Sequence, residues 1–318
     1  MVKYYKLKNA LFFSFLLFVF IMCESPNKNV EVENKISNVN VEDFNIIDLP
    51  YEQWPGKMLN ITDPLNPPFQ TDSSGISIFI WNGNSYYHPV VLATMADWYL
   101  DSFYQTQDTS YLNWSIKYAT KLEEISIDYS GARFFPYPFN YNIHGINTEL
   151  LEAPWFSGMA QGISLGVFSL LHKYTNETKY LVEANKIFKS YDGIALQDSP
   201  WITLIDSSKY IWFEEYPNEI SPNYTLNGFI YGIYGLYQFY QVTKSQYAKY
   251  LLKAGITTVK HYINDFRVPN RISYYCLKHE HQAANYHKLH MEQIKSLYRI
   301  TGDEYFAEIV DSLFLDYH

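Results

Sequence analysis

The sequence predicts an all-α protein, an α/α-toroid of helical hairpins with short β or extended segments in the loops at one end. Two observations predict this fold: four segments share one internal pattern, and long aromatic- and proline-rich stretches separate them. The chain has 318 residues, of which 47% are hydrophobic. A chain of this length and composition can form a substantial core.

Each repeated segment has an apolar helical end, a tyrosine, a short polar turn, a second tyrosine and another amphipathic run. The segments are LDSFYQTQDTSYLNWSIKYATKL, LLHKYTNETKYLVEANKIFKSY, LYQFYQVTKSQYAKYLLKAGITTV and IKSLYRITGDEYFAEIVDSLF, with the tyrosine pairs Tyr104/Tyr111, Tyr174/Tyr180, Tyr240/Tyr247 and Tyr298/Tyr305. The turns carry Thr, Asn, Asp or Gly, which end one helix and cap the next. Each segment is therefore predicted to be an αα-hairpin.

The stretches between the hairpins are extended and rich in proline and aromatic residues. They include GARFFPYPFNYNIHG, LIDSSKYIWFEEYPN and VPNRISYYCLKHEH. Long loops on one side of a ring of hairpins gather at one end of it, as binding loops do on rigid scaffolds. We expect the functional residues in these loops.

Charge and cysteine content exclude several classes of protein. The net charge of −9 argues against nucleic-acid binding, which needs a basic surface. Because arginine occurs only at 133, 267, 271 and 299, an acidic substrate would have to be bound by a few local cations. The two cysteines, Cys23 and Cys276, form no disulfide framework.

The N-terminus has the pattern of an export signal. Three lysines precede an apolar run over 11–22, which is too short for a comfortable membrane span and ends at Cys23. This predicts a lipoprotein-type leader over 1–23, lipidated at Cys23, and hence an exported protein anchored in the membrane at the periplasm or cell surface. An ordinary signal peptide or an uncleaved anchor is the alternative. Residues 24–43 are polar and predict a flexible tether, followed by one catalytic domain over 44–318.

The stretch IWFEEYPN places Glu214 and Glu215 among aromatic residues. A carbohydrate cleft explains both the carboxylates and the aromatics. The helix predicted to follow contains Gly228, Gly232 and Gly235, which permit either a close approach to its backbone or tight helix packing.

The stretch 273–293 is rich in histidine and tyrosine. His279-x-His281 and His287-x-x-His290 could supply nitrogen ligands, but their spacing matches no standard metalloprotease motif, so we predict no metal. Ser157 precedes a glycine without a nucleophile motif. Acid–base chemistry by Tyr, Glu and His remains. Lys278 and the histidines are expected to lower a tyrosine pKa from about 10, which suits removal of a carbon-bound proton beside a carboxylate.

Three segments together carry a family resemblance. WFSGMAQG (155–162), WFEEYP…YTLNGFIYGIYGLYQ (212–238) and SYYCLKH…NYHKLHMEQI (273–294) resemble the C-terminal catalytic domain of D-glucuronyl C5-epimerases, which convert glucuronic to iduronic acid in heparan-type chains. NSYYHPVVLATMADWYL (84–100) resembles the first barrel helix of that family. The resemblance covers about residues 80 to 310 and implies an α/α-barrel, no cofactor, an acidic polysaccharide substrate and a homodimer.

By motif position, the resemblance implies catalytic roles for Tyr216, Tyr275, Tyr286 and Glu215. Tyr275 and Tyr286 are the candidates for one face of the sugar, and Glu215 or Tyr216 for the other. Glu214 is expected to face solvent, and Trp212 and Phe213 to pack or to stack on sugar. Where the family is expected to have arginine and aspartate, this chain has Lys278 and Cys276.

Further residues are candidates for substrate binding, each with a structural role as the alternative. They are Arg133, Trp155, Gln161, Asn227, Lys278, His279, His287 and His290. The predicted function is C5-epimerisation in a heparosan-like uronan. A polysaccharide lyase that shares the first step, and a lipoprotein that binds acidic glycans without chemistry, are the alternatives.

Overall fold

Four helical hairpins dominate the computed structural model, which describes residues 36–318 except 58–59, 147–148 and 219–220. The helices are α1 (Pro89–Thr106), α2 (Thr109–Ile125), α3 (Gly158–Thr175), α4 (Thr178–Lys189), α5 (Leu226–Thr243), α6 (Gln246–Phe266), α7 (Ala284–Thr301) and α8 (Glu304–Asp316). Consecutive odd- and even-numbered helices form the hairpins, which confirms the prediction from the repeated segments.

Two residues join the helices within each hairpin. The first residue of every turn is in the left-handed conformation, with φ between 56° and 67°, at Gln107, Asn176, Lys244 and Gly302. The second is the N-cap of the next helix, and its side chain accepts a hydrogen bond from a first-turn N–H at Asp108, Ser245 and Asp303. Local turn chemistry thus closes the hairpins.

The odd-numbered helices are the inner ones. Residues on all sides of α3 and α5 are buried, whereas α4 buries only Tyr180, Ala184 and Ile187, a single stripe. The inner helices pack in the order α1, α3, α5, α7 and line a central cavity of about 330 Å³. The fold is an α/α-toroid, as predicted.

Short strands occur in the long loops. They are β1 (Phe79–Trp81), β2 (Asn84–Tyr86), β3 (Ile127–Tyr129), β4 (Ala132–Phe134), β5 (Tyr141–Asn142), β6 (Leu150–Leu151), β7 (Thr203–Ile205) and β8 (Ile211–Phe213). Successive strands pair as antiparallel two-stranded ribbons. Because the two-residue turns lie at the other end, these loops gather where the inner helices begin, which is the predicted arrangement.

The folded unit begins earlier than predicted, at Ile36 rather than at residue 44. Ile36 is buried, the Asn40 N–H donates to the Lys209 carbonyl at 2.8 Å, and the Glu42 N–H donates to the Thr257 hydroxyl. The predicted tether over 24–43 therefore wrongly included residues 36–43. The predicted leader and its lipidation at Cys23 lie outside the described residues. Among the helices described, none combines the length and apolar character that a membrane crossing needs.

Candidate active site

Strand β8 positions the two glutamates at the start of the inner helices. Trp212 and Phe213 are fully buried in the core, so they pack rather than stack on a sugar. Beyond the strand, the Glu214 carbonyl accepts a 2.7 Å hydrogen bond from the N–H of Gly158, the first residue of α3. The chain is thereby held against α3 where it leaves the sheet.

The Glu215 carboxylate lies against the first turn of α5. A Cβ at Gly228 would be 2.3 Å from Glu215 Oε2, so only glycine fits there. Burial raises the pKa of Glu215 to about 7, opposed by hydrogen bonds from Tyr275, Tyr216 and the Gly228 backbone. Glu215 is therefore a carboxylate that exchanges its proton near neutral pH.

Three tyrosines surround Glu215. The Tyr275 hydroxyl donates to Glu215 Oε2 at 3.1 Å and lies 3.2 Å from the Tyr216 hydroxyl. Tyr286, in the first turn of α7, packs its ring against Tyr275 with centroids 4.4 Å apart. The four residues given catalytic roles by the resemblance thus form one cluster. Glu215 and Tyr275 are in direct contact, and which residue serves which face of a sugar stays a prediction.

The tyrosines keep their protons. Burial and the neighbouring Glu215 charge raise the pKa of Tyr216 and Tyr275 well above the usual value, and raise that of Tyr286. Lys278 does not supply a charge to their hydroxyls, because its Nζ binds Glu149 at 2.7 Å and the Ser221 carbonyl. The expectation of a tyrosine with a lowered pKa is therefore wrong. The tyrosine hydroxyls can therefore donate hydrogen bonds, and Glu215 is the member of the cluster that can lose a proton near neutral pH.

Glu214 does not face solvent, contrary to expectation. It is 2% exposed, and its Oε1 accepts a 3.2 Å hydrogen bond from the Tyr224 N–H. Burial raises its pKa to about 8. Adjacent residues of an extended chain point to opposite sides, so the two glutamates enter different parts of the interior.

An aromatic wall flanks the cluster. Tyr141 stacks on Tyr216 at 5.6 Å, and Trp155 lies 6.0 Å from Tyr216 and stacks on Tyr137 at 3.7 Å. The sequence pattern marked the loop GARFFPYPFNYNIHG as functional but identified none of its tyrosines. Its run of aromatic residues was the available signal.

Two predicted binding histidines are structural. His287 is fully buried, accepts the Ser273 N–H at Nδ1 and lies 2.9 Å from the Leu313 carbonyl at Nε2. His290 is also fully buried and contacts the Ser273 hydroxyl at 2.9 Å, and burial lowers its pKa to about 3. In this structure neither side chain is accessible to a substrate, and the pair holds the loop before α7.

Arg133 and Gln161 are likewise engaged within the protein. The guanidinium of Arg133 forms ion pairs with Asp128 and Glu183. The Gln161 amide accepts the Phe135 N–H and donates to the Arg133 carbonyl, which fixes the loop after β4. These contacts favour the structural alternative for both residues.

The remaining predicted residues lie nearer the cluster. Asn227 directly precedes Gly228, and its side-chain oxygen is buried without a protein partner. His279 Nε2 lies 3.0 Å from Glu149 Oε2, and its Nδ1 faces Cys276. Within the described part of the chain, one group of side chains has the arrangement of metal ligands: His144, Cys276 and His279. Their roles toward a substrate stay predictions.

Comparison with solved structures supports the fold alone. The cellobiose 2-epimerase of Bacillus thermoamylovorans B4167 is 12% identical with a TM-score of 0.51, covering 72% of this chain and 60% of that one. The enzyme of the same name from Spirochaeta thermophila is 10% identical with a TM-score of 0.50, covering 76% and 63%.

Sequence comparison identifies relatives. An uncharacterised protein of Methanocaldococcus jannaschii is 28% identical over 196 residues, covering 58% of this chain and 59% of that protein. The D-glucuronyl C5-epimerase of Caenorhabditis elegans is 28% identical over 181 residues, covering 51% and 29%. The chain thus spans less than two thirds of either relative. The family model described as D-glucuronyl C5-epimerase C-terminus matches residues 130–313, more than half of the chain. This protein belongs to that family.

Proposed function

We propose that this protein is a carbohydrate epimerase that inverts C5 of glucuronic acid residues in a heparosan-like uronan, forming iduronic acid. The observation that carries the proposal is the buried contact between Glu215 and Tyr275, within a cluster that also contains Tyr216 and Tyr286. Membership of the family and the relative in C. elegans support the same chemistry.

Glu215 is the base in this proposal. A buried carboxylate with a pKa of about 7 is partly ionised at neutral pH and is a stronger base than an exposed one. The proton at C5, next to the uronate carboxylate, passes to Glu215 either directly or through the Tyr275 hydroxyl, which is hydrogen-bonded to it. Negative charge then develops on the substrate carboxylate.

Tyr216 and Tyr275 stabilise that charge. Their raised pKa values keep both hydroxyls protonated. Tyr216, and Tyr275 once Glu215 has taken up the C5 proton, can therefore donate hydrogen bonds to the carboxylate oxygens as charge builds up. Donors fixed in a buried site need little reorganisation during the reaction. Tyr141, which is only partly buried, offers an apolar ring face for the sugar, and the buried Trp155 packs behind it.

Tyr286 is assigned to the opposite face of the sugar. It enters the cluster from α7 rather than from the β8 loop, and its hydroxyl keeps its proton. It can therefore return a proton to C5 after Glu215 has removed one. An exported, membrane-anchored enzyme, as the N-terminal sequence predicts, would act on polymers outside the cytoplasm.

Incubation of the protein with heparosan in D2O, followed by NMR, tests the proposal. We expect deuterium at C5 and new iduronate signals. Glu215→Gln should slow exchange on the order of 10²–10⁴-fold, because a positioned base is lost. Glu214→Gln is the matched control and should retain activity. Unsaturated chain ends would instead identify a lyase, and binding without exchange would identify a glycan-binding protein.

Tyr286→Phe should separate exchange from inversion. If Tyr286 serves the second face, the variant still exchanges the C5 proton for deuterium but forms on the order of 10²-fold less iduronate. Tyr210→Phe, which removes a hydroxyl bonded to His261 outside the cluster, is the control. Equal loss of exchange and inversion in Tyr286→Phe would contradict the assignment.

A further inference from the structure

Three potential metal ligands converge beside the tyrosine cluster. Cys276 Sγ lies 3.2 Å from His144 Nε2 and 3.4 Å from His279 Nδ1. The three ligand atoms all lie within 4.8 Å of one another. His144 comes from the loop between β5 and β6, and the other two residues come from the loop before α7, so tertiary packing brings them together.

Both imidazoles use the same sulfur, which is a weak hydrogen-bonding partner. A thiol can donate its one hydrogen to one imidazole nitrogen and accept an N–H from the other, but both interactions are weak. His144 and His279 both direct a nitrogen at the same sulfur. The sulfur is fully buried, so water cannot solvate a thiolate there. A cation held between the three atoms satisfies all of them at once.

Glu149 lies beside His279, where a carboxylate can orient a metal-binding histidine. Its Oε2 lies 3.0 Å from His279 Nε2, and its Oε1 binds Lys278 Nζ at 2.7 Å. The two atoms are close but not aligned as a hydrogen bond, and a small rotation of either side chain would let the carboxylate hold the proton on Nε2 and leave Nδ1 free as a ligand. The outer partners of a metal site are thus present as well as the inner ones.

We propose that His144, Cys276 and His279 bind a divalent cation of the Zn²⁺ class. One thiolate and two imidazoles suit that ion, and a tetrahedral site with its usual bond lengths separates sulfur and nitrogen ligands by about 3.6 Å. The observed distances of 3.2 and 3.4 Å require only small shifts. His144 has φ 52°, a strained conformation that a ligand could justify. This proposal replaces the prediction of no metal.

The site has an open position and a defined neighbour. Three protein ligands leave one tetrahedral position for water, for a substrate oxygen or for His281, whose ring stacks on His144 at 4.4 Å. His144 also contacts the Tyr275 ring edge-on at 5.5 Å. The cation would therefore lie beside the acid–base cluster and could neutralise a substrate carboxylate, a role that rests on the proposed function.

Cobalt binding tests the site without any substrate. The full chain is stripped with a chelator and titrated with Co²⁺, which reports thiolate ligation through a charge-transfer absorption. We expect one Co²⁺ per chain with that absorption, and competition by Zn²⁺. Cys276→Ala should abolish the band, whereas Cys23→Ala should keep it. His144→Ala and His279→Ala should weaken binding more than tenfold, and Glu149→Gln between 10- and 100-fold.

Controls separate ligation from damage to the fold. His261→Ala removes an imidazole that stacks on Tyr210 away from the cluster, and should bind Co²⁺ like the unmodified chain. Circular dichroism shows whether each variant folds. Absence of stoichiometric binding by the folded unmodified chain, or a thiolate band that survives Cys276→Ala, would overturn the proposal.

The binding result and the epimerase assay can fail independently. Thiolate-ligated Co²⁺ without exchange on any uronan would support the metal site and reject the proposed function. C5 exchange by a chain that binds no metal would support the proposed function and reject the metal site. Exchange that continues unchanged after chelation of the bound metal would reject the role of the ion in neutralising the substrate.

Discussion

At the scale of single residues, Glu214 and Glu215 show how neighbouring identical side chains acquire different properties. Both are buried, and burial raises both pKa values, to about 8 and about 7. Glu215 contacts the Tyr275 hydroxyl, whereas Glu214 accepts the Tyr224 N–H. The difference in contacts, rather than in pKa, makes Glu215 the candidate base.

The pH dependence of catalysis should report Glu215. The ionised form is the base, so kcat/KM for C5 exchange should rise with pH through about 7, where Glu215 loses its proton. The measurement is the initial rate of exchange between pH 5 and 8. Glu214→Gln should show the same rise of kcat/KM with pH. A rate that stays constant across this range would argue against Glu215 as the base.

The pH dependence of stability should report Glu214. Its carboxyl ionises near pH 4.5 when unfolded but keeps its proton to about pH 8 when folded. The folded state therefore binds the extra proton, and stability falls as pH rises from 4.5 toward 8. Glu214→Gln removes this contribution. Between pH 5 and pH 8, the free energy of unfolding of the variant should therefore rise by roughly 3 kcal/mol relative to that of the wild type, at about 1.4 kcal/mol per pKa unit.

Urea unfolding at the two pH values measures that gain. Glu215 also lowers the free energy of unfolding as the pH rises. Because Glu215 is present in both proteins, its contribution cancels in the difference between them. Parallel changes in the free energy of unfolding of the two proteins would show that Glu214 does not keep its proton when folded.

At the scale of elements, glycines set the distance between α3 and α5. A Cβ at Gly235 would be 2.2 Å from the Gly162 carbonyl oxygen, and one at Gly162 would be 2.4 Å from the Tyr231 carbonyl oxygen. Both contacts are to backbone, which cannot rotate away. Gly162 and Gly235 therefore allow α3 and α5 to pack tightly, whereas Gly228 makes room for the Glu215 side chain.

Gly235→Ala should destabilise the protein by about 3 kcal/mol, since overpacking against backbone forces the helices apart. Gly166→Ala should cost less, because its new methyl group would meet the end of the Gln238 side chain rather than backbone, and that side chain can shift by giving up its hydrogen bond to the Pro55 carbonyl. Chemical denaturation of both variants measures the difference. Equal stability would show that the two helices can separate at little cost.

At the scale of the whole molecule, residues 36–57, which precede α1, contact several inner helices of the toroid. The Ile47 N–H donates to the Ile300 carbonyl in α7, and the Gln238 amide in α5 donates to the Pro55 carbonyl. The buried Lys57 forms ion pairs with Asp97 and Asp101 of α1. One segment thus contacts three inner helices.

Ile36→Ala should lower the free energy of unfolding by about 2–4 kcal/mol, because Ile36 is 1% exposed and its loss leaves a cavity. Ile61→Ala removes the same atoms from a side chain that is 57% exposed, and should cost less than about 0.5 kcal/mol. Denaturation curves of the two variants provide the test. A small effect of Ile36→Ala would indicate that residues 36–43 belong to the flexible tether rather than to the folded unit.

Local patterns in the sequence determined the hairpins. The paired tyrosines, the turn residues and the caps act within a few residues of one another, so helix ends could be predicted without knowledge of the fold. The motifs around Glu215, Tyr275 and Tyr286 identified a cluster that the structure brings together. Their catalytic roles remain predictions.

Only the tertiary structure decided which groups meet across long separations. His144 and Cys276 are 132 residues apart and come into contact through two loops. Lys278 is neutralised by Glu149, and the buried His287 and His290 bind Ser273. Sequence patterns carry short-range periodicity but not the packing of loops against each other. Side-chain partners and pKa values therefore depend on the assembled fold.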